Sequence, residues 1–287
     1  MPRAGRTLIA WSLLAAAAAG GVPRAAELRV DPAWSGDRIW DDGQAEVSHY
    51  EARRTIYGTA REYEAVLIIV KEDLDAATAV KADPPVEGRR LVTVLKLNIL
   101  GRIATENYPY NFMTSVFSRR DDPRSLVKLA HSSQEWCGTT FKEVIGWDGP
   151  ARLVWHSYFD GQADGQAPLE LGQDSFLEEQ LFIVLRAAFF QPGQEIPITV
   201  HDSLITNNAR KLASRIATIS MSPEEPITLP AGSFRAQRIV VSPGQAGGIT
   251  LIFWREAGPR RAILRFESSD GRSLALKKIA RRDYWSR

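Results

Sequence analysis

The residues that could do chemistry are concentrated in residues 126–161, which hold the single cysteine, two of the four histidines and three of the eight tryptophans. A thiol nucleophile would need Cys137 within hydrogen-bond reach of His131 or His156, and a third group to orient the imidazole. The register between neighbouring strands decides that pairing. A lone cysteine beside a tryptophan is more often a small buried hydrophobe, so Cys137 is expected to be structural. Carboxylates offer the second chemistry. Glu135 and Asp160 lie at strand ends around the same three-stranded meander, and glycoside hydrolysis uses two carboxyls about 5–9 Å apart. Trp136, Trp155 and Tyr158 would then be its aromatic platforms. A turn carboxylate and a cross-strand ion pair over core aromatics account for the same residues more simply. His49, His131, His156 and His201 are scattered without i, i+2 or i, i+4 histidine partners, so a metal site is not expected. No catalytic residue and no cofactor is expected either.

Those side chains have to be held by strands. Residues 126–133, 138–146 and 151–159 alternate apolar and polar with turn chemistry between them, which predicts three consecutive antiparallel strands. Parity puts His156 with Val154 and Tyr158, and Trp155 with Leu153 and Ser157. Glu135, Trp136 and Cys137 are expected at the start of the second strand. The same period-two pattern fills 45–57, 61–71, 91–97 and 107–117, with a long loop over 73–89 where Asp83-Pro84-Pro85 forbids a central strand. It resumes over 196–205, 212–221, 227–229, 234–242, 248–255, 260–268 and 273–280.

One helix is expected, over residues 175–190. Ser175 followed by Glu178 makes a capping box, and Leu177, Leu181, Val184, Leu185 and Ala188 recur at helical spacing. Phe176, Phe182, Ile183 and Phe189 cover its flanks, leaving Glu179 and Arg186 as its solvent contacts. Many short strands around one apolar helix define the fold class: mainly β, a large curved antiparallel sheet, half-barrel or partly closed barrel, enclosing that helix.

Residues 1–26 read as a secretory signal peptide: Arg3 and Arg6, an apolar run over 8–19 too short to span a bilayer, then small residues. Residues 27–287 then form a single β-rich envelope domain, periplasmic or secreted, with no integral membrane span. The leader contains three of the 36 basic residues and none of the 34 acidic ones, so the remainder is close to neutral and no nucleic-acid partner is expected. One cysteine excludes an intramolecular disulfide. The sequence leaves the oligomeric state open.

The stretch Leu229-Pro230-Ala231-Gly232-Ser233-Phe234, with Arg238-Ile239-Val240-Val241, Ile252-Phe253-Trp254 and Arg265-Phe266-Glu267 after it, resembles an exported bacterial family catalogued as a domain of unknown function. In that family a P-A-G-S/T-F/Y phrase joins two strands near the end of the domain. The resemblance implies a curved sheet similar to lipoprotein and lipid carriers of the LolA/LolB type, and it implies no catalytic residues. The expectation is a non-enzymatic envelope protein that binds or carries an apolar or polymeric ligand. The candidate ligand-binding residues are Glu135, Trp136, Tyr158, Asp160, Phe182 and Leu185. The alternatives are a glycan-active hydrolase using acidic residues and a structural partner of an envelope complex.

Overall fold

Period-two alternation becomes one very large sheet in the computed structural model, which describes residues 27–206 and 212–285. The residues expected to form the leader lie outside that range. In chain order, β1 (Arg29–Val30) and α1 (Pro32–Ser35) lead through a 3₁₀ turn at Arg38–Asp41 into β2 (Ala45–Ile56) and β3 (Thr59–Asp75). Next come β4 (Val80–Lys81), β5 (Leu91–Ile103), β6 (Tyr110–Arg119), β7 (Leu126–Glu135), β8 (Gly138–Ile145), β9 (Arg152–Ser157) and β10 (Gly165–Pro168). Then β11 (Ser175–Leu177), a 3₁₀ turn at Glu178–Gln180, α2 (Leu181–Ala187) and β12 (Ala188–Phe189) interrupt the meander. It finishes with β13 (Glu195–His201), β14 (Ser214–Leu229), β15 (Gly232–Pro243), β16 (Leu251–Glu256), β17 (Ile263–Ser268) and β18 (Ser273–Arg282).

Across the sheet the order is β10-β9-β8-β7-β6-β5-β3-β2-β18-β17-β16-β15-β14-β13-β11, with β4 on β3. Every pairing is antiparallel except β11 with β13. The two halves of the chain join where β18 ladders with β2. The two edge strands, β10 and β11, are consecutive in sequence. Leu169 still donates to the Ala151 carbonyl beside β9 (2.9 Å), and Asp174 already accepts from Thr199 of β13 (2.8 Å). Five residue steps separate those two anchors, so the ends of the sheet lie within about 17 Å of each other. The result is an antiparallel barrel that is not closed by hydrogen bonds.

The core lies inside this curl, and α2 is buried in it on every side. The Phe182 ring meets Phe253 and Phe266 at 5.1 and 5.2 Å. Arg255 of β16 reaches in to donate to the carbonyls of Leu185 and Ala188 (2.8 and 2.7 Å), satisfying acceptors that a helix end leaves open. Arg186 forms a two-pronged ion pair with Glu46 of β2 (2.6 and 3.0 Å), with its guanidinium over the rings of Trp34 and Trp40. Arg186 is therefore a core anchor instead of a solvent contact, and Glu179, 7% exposed, is buried as well.

The expected helix over 175–190 shrinks to Leu181–Ala187 because tertiary partners claim both of its ends. Ser175 Oγ meets His201 Nε2 (2.9 Å) instead of capping the helix, and residues 175–177 ladder with β13. Glu178 is drawn to Arg272 (2.5 Å) and Arg215 (3.6 Å), and Ala188 and Phe189 pair with β1. Elsewhere β3 and β4 extend into the loop expected over 73–89. The strands expected at 212–221 and 227–229 are one strand, β14, whose register slips between Met221 and Glu224, where Pro223 withholds a ladder donor. Pro230 and Ala231 form the two-residue turn of the β14–β15 hairpin, Gly232 takes φ +121°, and Phe234 packs against the core.

Candidate functional site: an aromatic rim at one mouth of the barrel

Three hairpins meet at one end of the barrel. The β2–β3 turn is Tyr57-Gly58, both with positive φ (50° and 75°), the geometry that suits a two-residue hairpin to the twist of its strands. That conformation holds the Tyr57 ring out, 79% exposed. The β7–β8 turn is Trp136-Cys137, since Glu135 pairs with Gly138. Glu135 thus ends β7, instead of opening the next strand, and is 6% exposed, whereas Trp136 is 78% exposed. The third component is the β5–β6 connection, which carries Tyr108 and is fastened to β3 by the Arg61–Glu106 ion pair (2.6 Å for both bonds).

Rings from these hairpins form an unbroken run. Trp136 stacks on Tyr108 (5.8 Å, 22°), Tyr108 lies against Tyr110 (5.5 Å), and Tyr110 stacks on Phe112 (5.9 Å, 10°). Tyr57 meets Tyr110 edge-on, and the Tyr110 hydroxyl donates to the Tyr57 oxygen at 2.6 Å. Phe112 stacks on His131 below and carries the Arg54 guanidinium over its face at 4.6 Å. Tyr158 completes the rim from the turn after β9. Its ring leans over Gly138 so closely that a Cβ there would lie 2.5 Å from Tyr158 Cδ1. Glycine at 138 is what lets Tyr158 sit against the Trp136 hairpin.

Polar groups are threaded between these rings. Tyr108 Oη lies 2.8 Å from Cys137 Sγ and donates to Glu135 at 3.5 Å. Burial, with the Tyr57, Tyr108 and Glu135 oxygens around it, pushes the Tyr110 phenol well above its ordinary range. The rim therefore presents the exposed rings of Trp136, Tyr57 and Tyr158, backed by the buried Tyr110, Phe112 and Glu135. Asp160 is exposed in the turn that carries Tyr158.

The structure brings Glu135, Trp136 and Tyr158 together around one hairpin, with Asp160 beside them in the neighbouring turn. Phe182 and Leu185 are elsewhere: one is packed among phenylalanines, the other is fully buried in α2. Cavities of about 460, 500 and 500 Å³ are walled by other residues. The Cys/His pair is not assembled. His131 Nδ1 bonds Thr114 (2.8 Å), and His156 points outward to Asp164 (3.4 Å), on the face opposite Trp155. Cys137 is exposed instead of buried, because the hairpin turns at that residue. Among the described residues no group of three His, Cys, Asp or Glu side chains is placed to hold a metal, and no helix is long and apolar enough to cross a membrane.

Tyr57, Tyr108, Tyr110 and Phe112 escaped the sequence argument. A signal for them existed: Tyr108, Tyr110 and Phe112 share one parity at the entry to β6, and Tyr57-Gly58 is a hairpin turn with an aromatic residue where a small one is usual.

No protein-family model matches the chain, and no curated protein matches it in sequence. In shape it is similar to the crystal structure of a β-barrel-like protein of domain of unknown function DUF1849 from Brucella abortus. That similarity has a TM-score of 0.49 and 10% identity, and covers 84% of this chain and 98% of that one. It describes the sheet alone and brings no ligand with it.

Proposed function

We propose that this chain is an exported envelope protein, residues 1–26 its leader and 27–287 one domain, that binds a polymeric glycan at the aromatic rim without transforming it. The observation that carries this is the trio of exposed rings Trp136, Tyr57 and Tyr158, of which Trp136 is stacked on Tyr108 and Tyr57 is seated on the buried Tyr110. Sugar rings stack on such faces through their C–H faces and hydrogen-bond at their rims, where Tyr108 and Tyr57 place hydroxyls. An apolar cargo in the lumen is less favoured, because Phe182 and Leu185 already fill their space with protein contacts. A glycan hydrolase is less favoured because Glu135 is held by Tyr108 from β6's own entry.

Titration with soluble glycan fragments released from bacterial cell wall, followed by tryptophan fluorescence, tests the proposal. Binding should saturate, and Trp136→Ala and Tyr158→Ala should each weaken it about tenfold or more while leaving the unfolding midpoint nearly unchanged. Lack of saturable binding to glycan, with saturable uptake of a fatty-acid probe, would overturn it in favour of an apolar ligand.

A further inference from the structure

Two registered rows of side chains run down the outside of the barrel directly below the rim. Asn111, Gln134 and Thr139 are cross-strand partners on β6, β7 and β8, and Tyr158 continues their row, its N–H donating to the Thr139 carbonyl at 3.2 Å. One step further down, Met113, Ser132, Phe141 and His156 align across β6 to β9. Each row spans three strand spacings, about 14 Å, and the rows lie about 7 Å apart, the rise of two residues. The Trp136 turn stands immediately above Gln134 and Thr139, so rim and wall are one surface.

None of these eight positions is Asp, Glu, Lys or Arg. Elsewhere the outer face is charged: Glu51 and Arg53 of β2 stand opposite Glu64 and Glu62 of β3, and the row below Phe141 carries Glu143, paired with Lys128 at 3.7 Å. Arg102, opposite Asn111, and Asp164, 3.4 Å from His156, mark the two sides of the neutral patch. Within those limits two apolar side chains are left in water, Phe141 at 38% and Met113 at 40% exposed. The Phe141 ring lies over the His156 imidazole, with centroids 6.4 Å apart and planes 28° from parallel, so the pair presents a flat, partly exposed surface. Around it the Asn111 and Gln134 amides and the Thr139 hydroxyl are exposed, and each can both donate and accept a hydrogen bond. A flat ring set among uncharged groups of that kind matches a neutral, polyhydroxylated chain. Nucleic acid would need cations for its phosphates, and an apolar partner would leave the amides unpaired.

We infer that the outer wall of β6 to β9 continues the glycan site, with Phe141, backed by His156, as its second aromatic platform and the Asn111 and Gln134 amides as its hydrogen-bonding groups; this rests on the reading in which the rim binds glycan. A chain seated on Trp136 and Tyr158 reaches the Phe141–His156 pair with its next sugar units. Only a chain long enough to reach the wall gains from it, and the second contact is intramolecular once the first is made, so affinity rises with length.

Isothermal titration with soluble cell-wall glycan fragments of one disaccharide unit and of several tests this. The longer fragment should bind at least about tenfold more tightly. Phe141→Ala should weaken the long fragment about tenfold and leave the short one unchanged, whereas Trp136→Ala should weaken both. Gln134→Ala should likewise weaken the long fragment alone. Phe141→Tyr keeps the flat ring and should bind the long fragment within about twofold of the parent. An unchanged short-fragment affinity shows in each case that the variant is folded. Equal affinity for the two lengths, or a long-fragment affinity that Phe141→Ala does not change, would overturn the inference and leave the rim reading standing wherever Trp136→Ala still weakens the short fragment. Saturable binding of neither length would overturn both. A dimer in solution that Phe141→Ala dissociates would also overturn the inference, the wall then being covered by a second copy of the chain.

Discussion

Replacing Arg186 by methionine tests how α2 is seated in the barrel. In the structure this guanidinium makes two bonds to Glu46 (2.6 and 3.0 Å) and a third to the Arg260 carbonyl (2.8 Å), and its carbon sits 5.1 and 5.7 Å from the rings of Trp34 and Trp40. Both charges are almost entirely shielded from water, with Arg186 2% and Glu46 4% exposed. Methionine fills much of the volume but strands the Glu46 carboxylate in a dry site. The expected loss is about 3–5 kcal/mol, dominated by that uncompensated charge more than by the lost attraction. For a domain of this size that lowers the melting temperature by roughly 10 °C. Urea unfolding followed by circular dichroism measures it. Glu46→Gln added to Arg186→Met should recover part of the loss, because the stranded charge is gone; the two changes are then strongly non-additive. An Arg186→Met variant within about 0.5 kcal/mol of the parent, or a double variant equal to the sum of the singles, would refute the argument.

Burial depresses His131 from its ordinary 6.5 to about 3, helped by Lys142 and Arg54, so the unfolded chain binds a proton in that window that the folded chain refuses. Stability should therefore fall with pH below about 6.5, and between about pH 6.5 and pH 5 the parent should lose roughly 2 kcal/mol more than His131→Gln in matched urea titrations. Cys137 is exposed, so an alkylating reagent should modify the folded protein without prior unfolding, and Cys137→Ala should change stability by no more than about 0.5 kcal/mol. Gly138→Ala forces a methyl to within 2.5 Å of the Tyr158 ring, so Tyr158 must leave its seat. That variant should lose glycan binding about as far as Tyr158→Ala does while remaining folded, and unchanged binding would separate Tyr158 from the rim.

Much of the sheet is legible in the sequence because a strand that buries one face must alternate. The parity argument that puts Trp155 and His156 on opposite faces works for the same reason: period two is a property of the strand itself and needs no knowledge of its neighbour, whereas which of the two faces inward is decided by the fold. The two-residue turn at Pro230-Ala231 is equally local. What local pattern could not supply is which strand lies beside which. The inward row Thr114, His131, Lys142 and Trp155 draws one residue from each of four strands, and only the register makes them neighbours.

The helix shows the other limit. Ser175 and Glu178 have the spacing of a capping box, yet His201, Arg272 and Arg215, distant in sequence, offer buried partners that a helix end exposed to water cannot match. Arg186 sat where an amphipathic helix would face solvent, and a lone arginine in an apolar run gives no sign that Glu46, 140 residues away, is waiting inside the barrel. Composition and alternation thus determined that the chain would curl into a mainly β envelope around an apolar segment. Where its charges would be buried, which aromatic rings would meet at the mouth, and how far the helix would run were decided by tertiary contacts, because a buried charge or a stacked ring takes its energy from partners that no local window contains.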